Sequence, residues 1–311
     1  FDTMWYEVPI LAIVNEVYFA YTYGIGAKNI EFQKKTIEKF EKMFNHDVWE
    51  HIVDNEDDGC PRFAKKPSEE YCEEHPYNIG TFSEFGLRRR YSSEMQDWLV
   101  KYLVSEKVPG FVGTSNVYLA KKYGVKPVGT MAHEFAMCVG QGNRRLNPAY
   151  SNWAMMDAWI KEYGTMNGIA LTDTIGTDTF LKDFRTTFAR VFDGVRHDSG
   201  DPLVWAGKMV DHYRKLGIDP STKTLLFSDS LDFEKATKIK ESVDGANVAF
   251  GIGTYLTNPL DNPLNIVMKV TKCNGNPVAK VSDTPGKGMC GDGEYLKWLS
   301  SCIEMRAKEE R

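Results

Sequence analysis

Six consecutive residues carry more chemically useful groups than any other stretch of the sequence. In chain order they are Arg196, His197, Asp198, Ser199, Gly200 and Asp201. An arginine fork suits phosphate, and a carboxylate suits a sugar hydroxyl or a hydrated magnesium ion. Helix capping explains Asp201 together with Pro202 at a first helical position. Capping does not explain Arg196 or Asp198, so the segment predicts a ligand-binding loop in which these two residues do the binding.

The wider sequence predicts the sheet that would position this loop. Short apolar segments alternate with helical patterns, and each segment ends in Gly, Ser, Thr or Asp. The segments cover residues 81–85, 110–112, 126–128, 168–171, 191–195, 224–227 and 248–250. Strands that alternate with helices indicate a parallel sheet. Because polar residues follow every segment rather than one neighbouring pair, we favour an irregular, TIM-like α/β barrel over an open doubly wound sheet.

The residues after the predicted strands suit phosphate binding and acid–base chemistry. The richest groups are Gly113-Thr114-Ser115-Asn116, Ala132-His133-Glu134, Thr172-Asp173, Ser228-Asp229 and Gly253-Thr254. Backbone N–H groups beside glycine can hold a phosphate. Two of these residues also have simpler interpretations, since Ser115 is a candidate helix cap and a lone histidine such as His133 is a candidate structural residue. We interpret Arg89, in the basic stretch after the first strand, as solvated.

Motifs that the sequence lacks narrow the chemistry further. It contains no GxxxxGK[ST] loop, no GxGxxG at a helix start, and no HExxH or His/Cys cluster typical of zinc. Phosphate donors, magnesium-compatible carboxylates and one histidine remain. This set predicts an enzyme that acts on a phosphorylated sugar and uses diphosphate chemistry.

Composition argues against several other classes of protein. The 311 residues carry a net charge of −5, which disfavours a general nucleic-acid binder or a protein of anionic membrane surfaces. The longest apolar stretch is interrupted by Pro9, Asn15 and Glu16, so no membrane span is expected. Six scattered cysteines without a CxxC pair, and no recognisable signal peptide, predict reduced thiols in a cytoplasmic protein.

Three regions are expected along the chain. They are residues 1–78, the remnant of an N-terminal lobe with a helical connection; residues 79–262, the barrel; and residues 263–311, a hairpin and a helix that return to the N-terminal lobe. Residues 55–76 form a polar insertion, and Asn274-Gly275 is a hairpin turn signal. Since the chain opens directly within a helical pattern at residues 5–23, we expect a fragment with an exposed apolar face on that helix.

Seven motifs in this order resemble the nicotinate phosphoribosyltransferase family of the ATP-coupled, bacterial and yeast-like type. They are GTSN (113–116), GTMAHEF (129–135), LTD (171–173), RHDSGDP (196–202), FSDSLD (227–232), FGIGT (250–254) and CNGNPVAKVSDTPGK (273–287). The resemblance implies a type II phosphoribosyltransferase barrel and a homodimer with sites near the subunit boundary. It also implies that nicotinate and 5-phosphoribosyl 1-diphosphate give nicotinate mononucleotide and diphosphate in NAD salvage. ATP hydrolysis through a phosphohistidine, with Mg²⁺, would be coupled to this reaction.

The same resemblance implies roles for individual residues. His133 resembles the phosphorylated histidine, and Asp173 resembles the carboxylate that orients it. Phe85 resembles the residue that stacks on the pyridine ring. Ser115 stands where the related nicotinamide-using enzymes carry an aspartate. A hydroxyl donor suits a carboxylate, so this position favours nicotinate over nicotinamide.

The remaining candidates resemble ligands of phosphate, ribose and Mg²⁺, and they are Arg88, Arg196, Asp198, Asp229, Gly253 and Thr254. The two arginines would bind anionic groups of the substrate. The two aspartates would contact ribose or Mg²⁺-bound diphosphate, and the last two residues would hold the 5′-phosphate. An early Tyr-Lys segment of the family, which reaches the partner subunit's site, has no counterpart in this sequence.

Other functions stay open at this point. A pyridine phosphoribosyltransferase that uses nicotinamide or quinolinate would share most of the motifs. A generic phosphate-binding barrel, such as an aldolase, would need a lysine or an acid–base pair at a strand end, whereas Lys126 and Lys223 lie at strand starts. A non-catalytic fragment kept as an interaction module would have little reason to retain His133, Asp173 and Arg196.

Overall fold

The first two strands of the chain form a small antiparallel pair outside the main sheet. The computed structural model describes residues 6–26, 28–44, 49–52, 62–65, 79–258, 260 and 263–309. Within these ranges, β1 (Trp49–Ile52) pairs with β2 (Arg62–Lys65). Strand β2 falls inside the insertion predicted at residues 55–76, and the rest of that insertion lies outside the described residues.

Seven parallel strands form the main sheet, and the sequence predicts all seven. They are β3 (Thr81–Glu84), β4 (Phe111–Thr114), β5 (Lys126–Pro127), β6 (Ile169–Leu171), β7 (Gly194–His197), β8 (Thr224–Phe227) and β9 (Asn247–Ile252). The middle residues of β3, β6 and β8 are buried, as expected for strands of a parallel sheet that is covered on both faces. All carboxyl ends therefore lie at one edge, where the polar motifs follow.

The order of these strands is that of a barrel with one opening. Along the sheet the order is β5-β4-β3-β9-β8-β7-β6, and every pair is parallel. The first strand of the series, β3, pairs with the last, β9, as it would in a closed barrel. Within the described residues, β5 and β6 are the two free edges. The predicted barrel is confirmed as a curled half-barrel that is open between these strands.

Twelve α-helices are seen in the described residues, and most of them connect the strands. They are α1 (Glu7–Tyr23), α2 (Asn29–Phe44), α3 (Ser93–Ser105), α4 (Val117–Tyr123), α5 (His133–Ala136), α6 (Ser151–Tyr163), α7 (Thr177–Asp183), α8 (Thr186–Val191), α9 (Pro202–Lys215), α10 (Phe233–Ser242), α11 (Thr254–Thr257) and α12 (Gly293–Glu309). Asp201 caps α9 by accepting from the N–H groups of Leu203 and Val204, as predicted. None of the described helices combines the length and the apolar character that a membrane crossing needs.

Helix α1 buries only one of its faces. Leu11 and Phe19 point into the core, whereas Ile13 and Val17 are 58% and 62% exposed. The sequence predicts both a helix here and an exposed apolar face on it, and the described part of the segment has both. Residue 5, the predicted start of the helix, lies outside the described residues.

The C-terminal segment forms two short hairpins beside the opening of the half-barrel. Its strands are β10 (Lys272–Cys273), β11 (Asn276–Pro277), β12 (Ala279–Lys280) and β13 (Met289–Cys290), with β10 paired to β11 and β12 to β13. The predicted turn at Asn274-Gly275 has positive φ at both residues (51° and 76°), which only a turn of this composition adopts easily. Asn274 donates to Gly142 O, and Lys269 reaches Glu7 of α1 at 2.7 Å, so the segment touches both the barrel and the N-terminal helix.

Candidate active site

A buried histidine lies between two carboxylates at the opening of the half-barrel. His133 begins α5, after β5, while Asp173 and Asp198 follow β6 and β7. The His133 Nε2 atom is 2.9 Å from Asp173 Oδ1 and 3.6 Å from Asp198 Oδ2. Asp173 is held from its other side by Ser199, whose hydroxyl donates to Oδ2 over 2.6 Å. The structure thus brings together three of the residues predicted from sequence.

Burial and charge set the protonation states in this cluster. Burial lowers the pKa of His133 below its ordinary value, although the neighbouring Asp173 and Asp198 oppose that shift. Burial alone would raise the pKa of Asp173, but His133, Lys280 and the Ser199 hydroxyl hold it well below its usual range. Around neutral pH the cluster therefore consists of ionised aspartates and a neutral imidazole. With Nε2–H donated to Asp173, the lone pair lies on Nδ1.

The Arg196 guanidinium is fixed by three different side chains. It donates from Nε to Ser228 Oγ (2.8 Å), from Nη1 to Thr130 Oγ1 (2.6 Å) and from Nη2 to Asp198 Oδ1 (2.5 Å). Ser228 also donates to Asp198 Oδ1 over 2.9 Å. Burial tends to raise the pKa of Asp198, but Arg196 and His133 hold it well below its usual range. The strand ends of β5, β7 and β8 are thus joined into one polar surface.

His197 has no part in this cluster. Its Nε2 lies 3.2 Å from Gly200 O, and its ring packs against Trp205 and Phe227. The histidine of the RHDSGD segment is a buried structural residue, which matches the choice of His133 as the candidate nucleophile.

Asp229, at the end of β8, lies on the exposed side of the site. Lys287 from the C-terminal segment contacts both of its carboxylate oxygens at 2.7 Å. Arg89, in the 3₁₀ turn at Leu87–Arg89 after β3, is half-buried. Burial lowers the pKa of its guanidinium, as does Arg88, while Asp198, Glu7 and Asp229 act in the opposite direction. The interpretation of Arg89 as solvated is not confirmed for the whole side chain, because the residue is half-buried and its Nε is buried without a hydrogen-bond partner.

Phe85 and Ser115 occupy the other end of the strand-end surface. Phe85 follows β3, and its ring lies so close to Gly251 that a Cβ there would come within 2.5 Å of it. Ser115 follows β4 and donates its N–H to Glu84 O, but its hydroxyl is buried without a partner. The cap of the following helix is Asn116, not Ser115. A buried hydroxyl without an internal role is available to a ligand.

A fully buried glutamate supports this end of the site, and nothing in the sequence singles it out. Glu84 accepts from Gly86 N, from Gln96 Nε2 (3.0 Å) and from the hydroxyl of Thr114. Burial raises the pKa of its carboxyl, and these hydrogen bonds oppose the rise. Glu84 therefore fixes the turn after Phe85 and the strand end before Ser115. This supporting role is visible only in the structure, where Glu84, at the end of β3, contacts Thr114 at the end of β4.

The remaining predicted residues take simpler positions. Arg88 donates from Nη1 to Glu7 Oε1 of α1 over 2.8 Å and is partly exposed. Gly253 precedes α11, which begins at Thr254, and a Cβ at Gly253 would lie 3.1 Å from Phe85 O. These residues surround the Phe85 end of the site rather than the histidine cluster.

One group of side chains has the composition of a metal site. Ligand atoms of His133, Asp173 and Asp198 all lie within 4.8 Å of one another. Lys280 already stands 3.2 Å from Asp173 and 3.8 Å from Asp198. Asp198 Oδ2 has neighbours at 3.6 Å and beyond, so it retains a lone pair for a water of a hydrated cation.

Comparison with known proteins decides the family. A family model described as "Nicotinate phosphoribosyltransferase (NAPRTase) family" matches residues 81–304. The chain belongs to this family. It is 52% identical over 227 residues to nicotinate phosphoribosyltransferase 2 of Pseudomonas aeruginosa, and 45% identical over 307 residues to nicotinate phosphoribosyltransferase 1 of the same organism.

A solved structure of the family has the same fold. The crystal structure of nicotinate phosphoribosyltransferase from Vibrio cholerae superposes with a TM-score of 0.81 at 34% identity, covering 97% of this chain and 67% of that one. The alignment with the first Pseudomonas relative covers 72% of this chain and 56% of the relative. The alignment with the second covers 97% of this chain and 69% of the relative. The chain thus spans between about half and two thirds of the length of these relatives.

Proposed function

We propose that this chain catalyses the reaction of nicotinate, 5-phosphoribosyl 1-diphosphate, ATP and water to nicotinate mononucleotide, diphosphate, ADP and phosphate, in NAD salvage. The observation that carries the proposal is the buried pair of His133 and Asp173, 2.9 Å apart, beside the Arg196–Asp198 ion pair. Intact residues at all these positions favour an enzyme over a non-catalytic interaction module. Family membership supports the substrate class.

The histidine would accept a phosphoryl group from ATP. Asp173 holds the proton on Nε2, so Nδ1 of the neutral His133 attacks the terminal phosphorus. A bond from Nδ1 to phosphorus forms, and the bond from that phosphorus to the bridging oxygen breaks, which releases ADP. Water later removes the phosphoryl group as inorganic phosphate. Asp173 balances the positive charge that develops on the ring during the transfer.

The second step is the transfer of the phosphoribosyl group. The ring nitrogen of nicotinate forms a bond to ribose C1 as the bond from C1 to the diphosphate oxygen breaks, and diphosphate leaves. Positive charge develops on the sugar, where Asp198 and Asp229 would stabilise it. Mg²⁺ held by these two aspartates through the diphosphate would neutralise the leaving group. Asp229 would have to exchange its contact with Lys287 for this role.

Ser115 supports nicotinate as the substrate. Its hydroxyl is buried and has no partner, and its backbone N–H is bonded to the carbonyl of Glu84, the residue before Phe85, which we propose stacks on the pyridine ring. A hydroxyl can donate to the nicotinate carboxylate and leaves no uncompensated negative charge beside it. Nicotinamide, which needs an acceptor for its amide, fits this position less well.

We also propose a homodimer in the cytoplasm. The homodimer is what the resemblance to the family implies, with sites near the subunit boundary. The four cysteines in the described part of the chain, Cys138, Cys273, Cys290 and Cys302, are all free thiols, which suits a reducing compartment.

One assay tests the proposal directly. The full-length protein is incubated with nicotinate, 5-phosphoribosyl 1-diphosphate, Mg²⁺ and labelled ATP, and both nucleotide product and acid-labile protein phosphate are measured. We expect nicotinate mononucleotide to form and His133→Ala to abolish the label. Turnover of nicotinamide or quinolinate instead of nicotinate would contradict the substrate assignment, and label that persists in His133→Ala would contradict the nucleophile.

A further inference from the structure

Lys280 reaches the candidate site from outside the seven-stranded sheet. Its Nζ atom lies 3.2 Å from Asp173 Oδ2 and 3.8 Å from Asp198 Oδ2, and the residue is 7% exposed. It is therefore a buried cation in contact with both carboxylates that surround His133. Neither its motif nor its place after the barrel predicts this position.

The backbone on both sides of Lys280 is fixed to the barrel. Gln141 exchanges two hydrogen bonds with Ala279, one to its carbonyl (2.8 Å) and one from its N–H (2.6 Å). Val281 donates its N–H to Thr174 O over 2.8 Å. The first contact ties β12 to the helical turn after the histidine, and the second ties it to the residue next to the aspartate. The lysine is consequently placed by rigid contacts on both of its sides.

Lys280 offsets negative charge on the two carboxylates that surround His133. Arg196 is bound to Asp198 Oδ1, whereas Lys280 faces the other oxygen of Asp198 and Oδ2 of Asp173. Among the described residues, Lys280 is the one lysine or arginine within 4.0 Å of Asp173. Without it, two carboxylates balanced by a single guanidinium would face any incoming anion. A terminal phosphate of a nucleoside triphosphate is such an anion, and a buried negative charge repels it strongly.

We propose that Lys280 is a positioning residue for the phosphorylation of His133. It holds Asp173 against the imidazole and offsets the charge of the two aspartates, so that the phosphate of a nucleoside triphosphate can approach Nδ1. This inference rests on the proposed function, because it requires His133 to accept a phosphoryl group. It makes the C-terminal segment a part of the phosphorylation site rather than only a support for the fold.

A purely structural role would make Lys280 comparable with any other buried lysine. Lys223 provides that comparison, because it is also 7% exposed. Lys223 lies just before the start of β8, at the sheet edge opposite to the site. Its ammonium group donates to the backbone carbonyls of Phe192 (2.7 Å) and Arg190 (3.2 Å). Replacing Lys223 removes a buried cation of equal exposure without touching the histidine cluster.

The experiment measures the initial rate of His133 phosphorylation by terminally labelled ATP in the full-length protein. We expect Lys280→Met to lower this rate about 100-fold, as for other lost electrostatic contacts at a reaction centre. Lys280→Arg should recover a large part of the rate, and Lys223→Met should be labelled like the wild type. The KM for nicotinate in Lys280→Met should stay within about 2-fold of the wild type, because the pyridine end of the site is untouched.

Equal labelling rates in Lys280→Met and Lys223→Met would overturn the inference. If Lys280→Met fails to fold, as judged by its thermal transition, the comparison passes to Lys280→Arg and Lys280→Gln, and equal rates in these two would overturn it as well. A wild-type protein that takes no label from ATP would instead overturn the proposed phosphohistidine, and the two failures are therefore distinguishable.

Discussion

The imidazole of His133 lies 2.9 Å from the carboxylate of Asp173, although the two residues are 40 positions apart in the chain. His133 follows β5 and Asp173 follows β6, the two edge strands of the half-barrel. Because these strands do not pair with each other within the described residues, the contact between the two side chains bridges the opening of the sheet. The site thus lies at the opening between the two edge strands of the described sheet.

Asp173→Asn should reduce phosphorylation of His133 by about 100-fold or more, since the amide cannot stabilise a positive ring and can impose the wrong tautomer. The measurement is the rate of acid-labile labelling by ATP. Asp178→Asn is the matched control, because Asp178 is an exposed aspartate whose partner is Lys208. Wild-type labelling in Asp173→Asn would remove Asp173 from the mechanism.

The rate of labelling should depend on pH through His133. The neutral imidazole is the nucleophile, and burial lowers its pKa. Protonation therefore slows the labelling only at pH values below the ordinary pKa of histidine. We expect a flat rate from pH 8 down to about 6.5 and a decline below it. Asp198 favours the protonated ring, so Asp198→Asn should move the acid decline to still lower pH, whatever its absolute rate. A decline that begins above the ordinary value, or moves upward in this variant, would contradict the assignment.

Ser115→Asp should weaken nicotinate binding selectively. The new carboxylate would face that of the substrate, and repulsion at this distance should raise the KM for nicotinate about 10- to 100-fold. The KM for 5-phosphoribosyl 1-diphosphate should change far less. Ser221→Asp, at an exposed position beside β8, introduces the same charge away from the site and should leave both constants unchanged. A nicotinate KM that is the same in both variants would exclude Ser115 from the pyridine site.

Arg306→Ala should destabilise the fold rather than the chemistry. Arg306 anchors α12 by a buried ion pair with Asp183 (2.5 Å) and a hydrogen bond to Ala149 O (2.6 Å). Removing one partner of a buried pair typically costs about 3–5 kcal/mol. Lys208→Ala, which removes the exposed pair with Asp178, should cost at most about 1 kcal/mol. Urea unfolding of both variants measures the difference, and a loss below about 1 kcal/mol in Arg306→Ala would show that α12 is not anchored in this way.

Much of the fold could be predicted because its signals are local. Apolar runs that end in polar residues marked all seven barrel strands, Asn274-Gly275 marked a hairpin, and Asp201 with Pro202 marked a helix start. The opening between β5 and β6 could not be predicted, because the sequence of a strand does not show whether it pairs on one side or on both.

The candidate site was predictable only where its residues follow strands. His133, Asp173 and Asp198 do so, and the structure brings them together. Lys280 and Lys287 arrive from a segment beyond the barrel, and their contacts with the aspartates depend on how that segment folds back. Local sequence carries no sign of such contacts.

Arg89 is less exposed than the sequence predicts, and its replacement tests whether it binds the substrate. Its Nε is buried without a hydrogen-bond partner, so we expect it to bind a phosphate of the phosphoribosyl substrate. We expect Arg89→Gln to raise the KM for 5-phosphoribosyl 1-diphosphate about 10-fold or more, which corresponds to the loss of one charged hydrogen bond. The KM for nicotinate should stay unchanged. Arg190→Gln, an exposed arginine on α8, is the control, and equal KM values for the two variants would return Arg89 to a structural role.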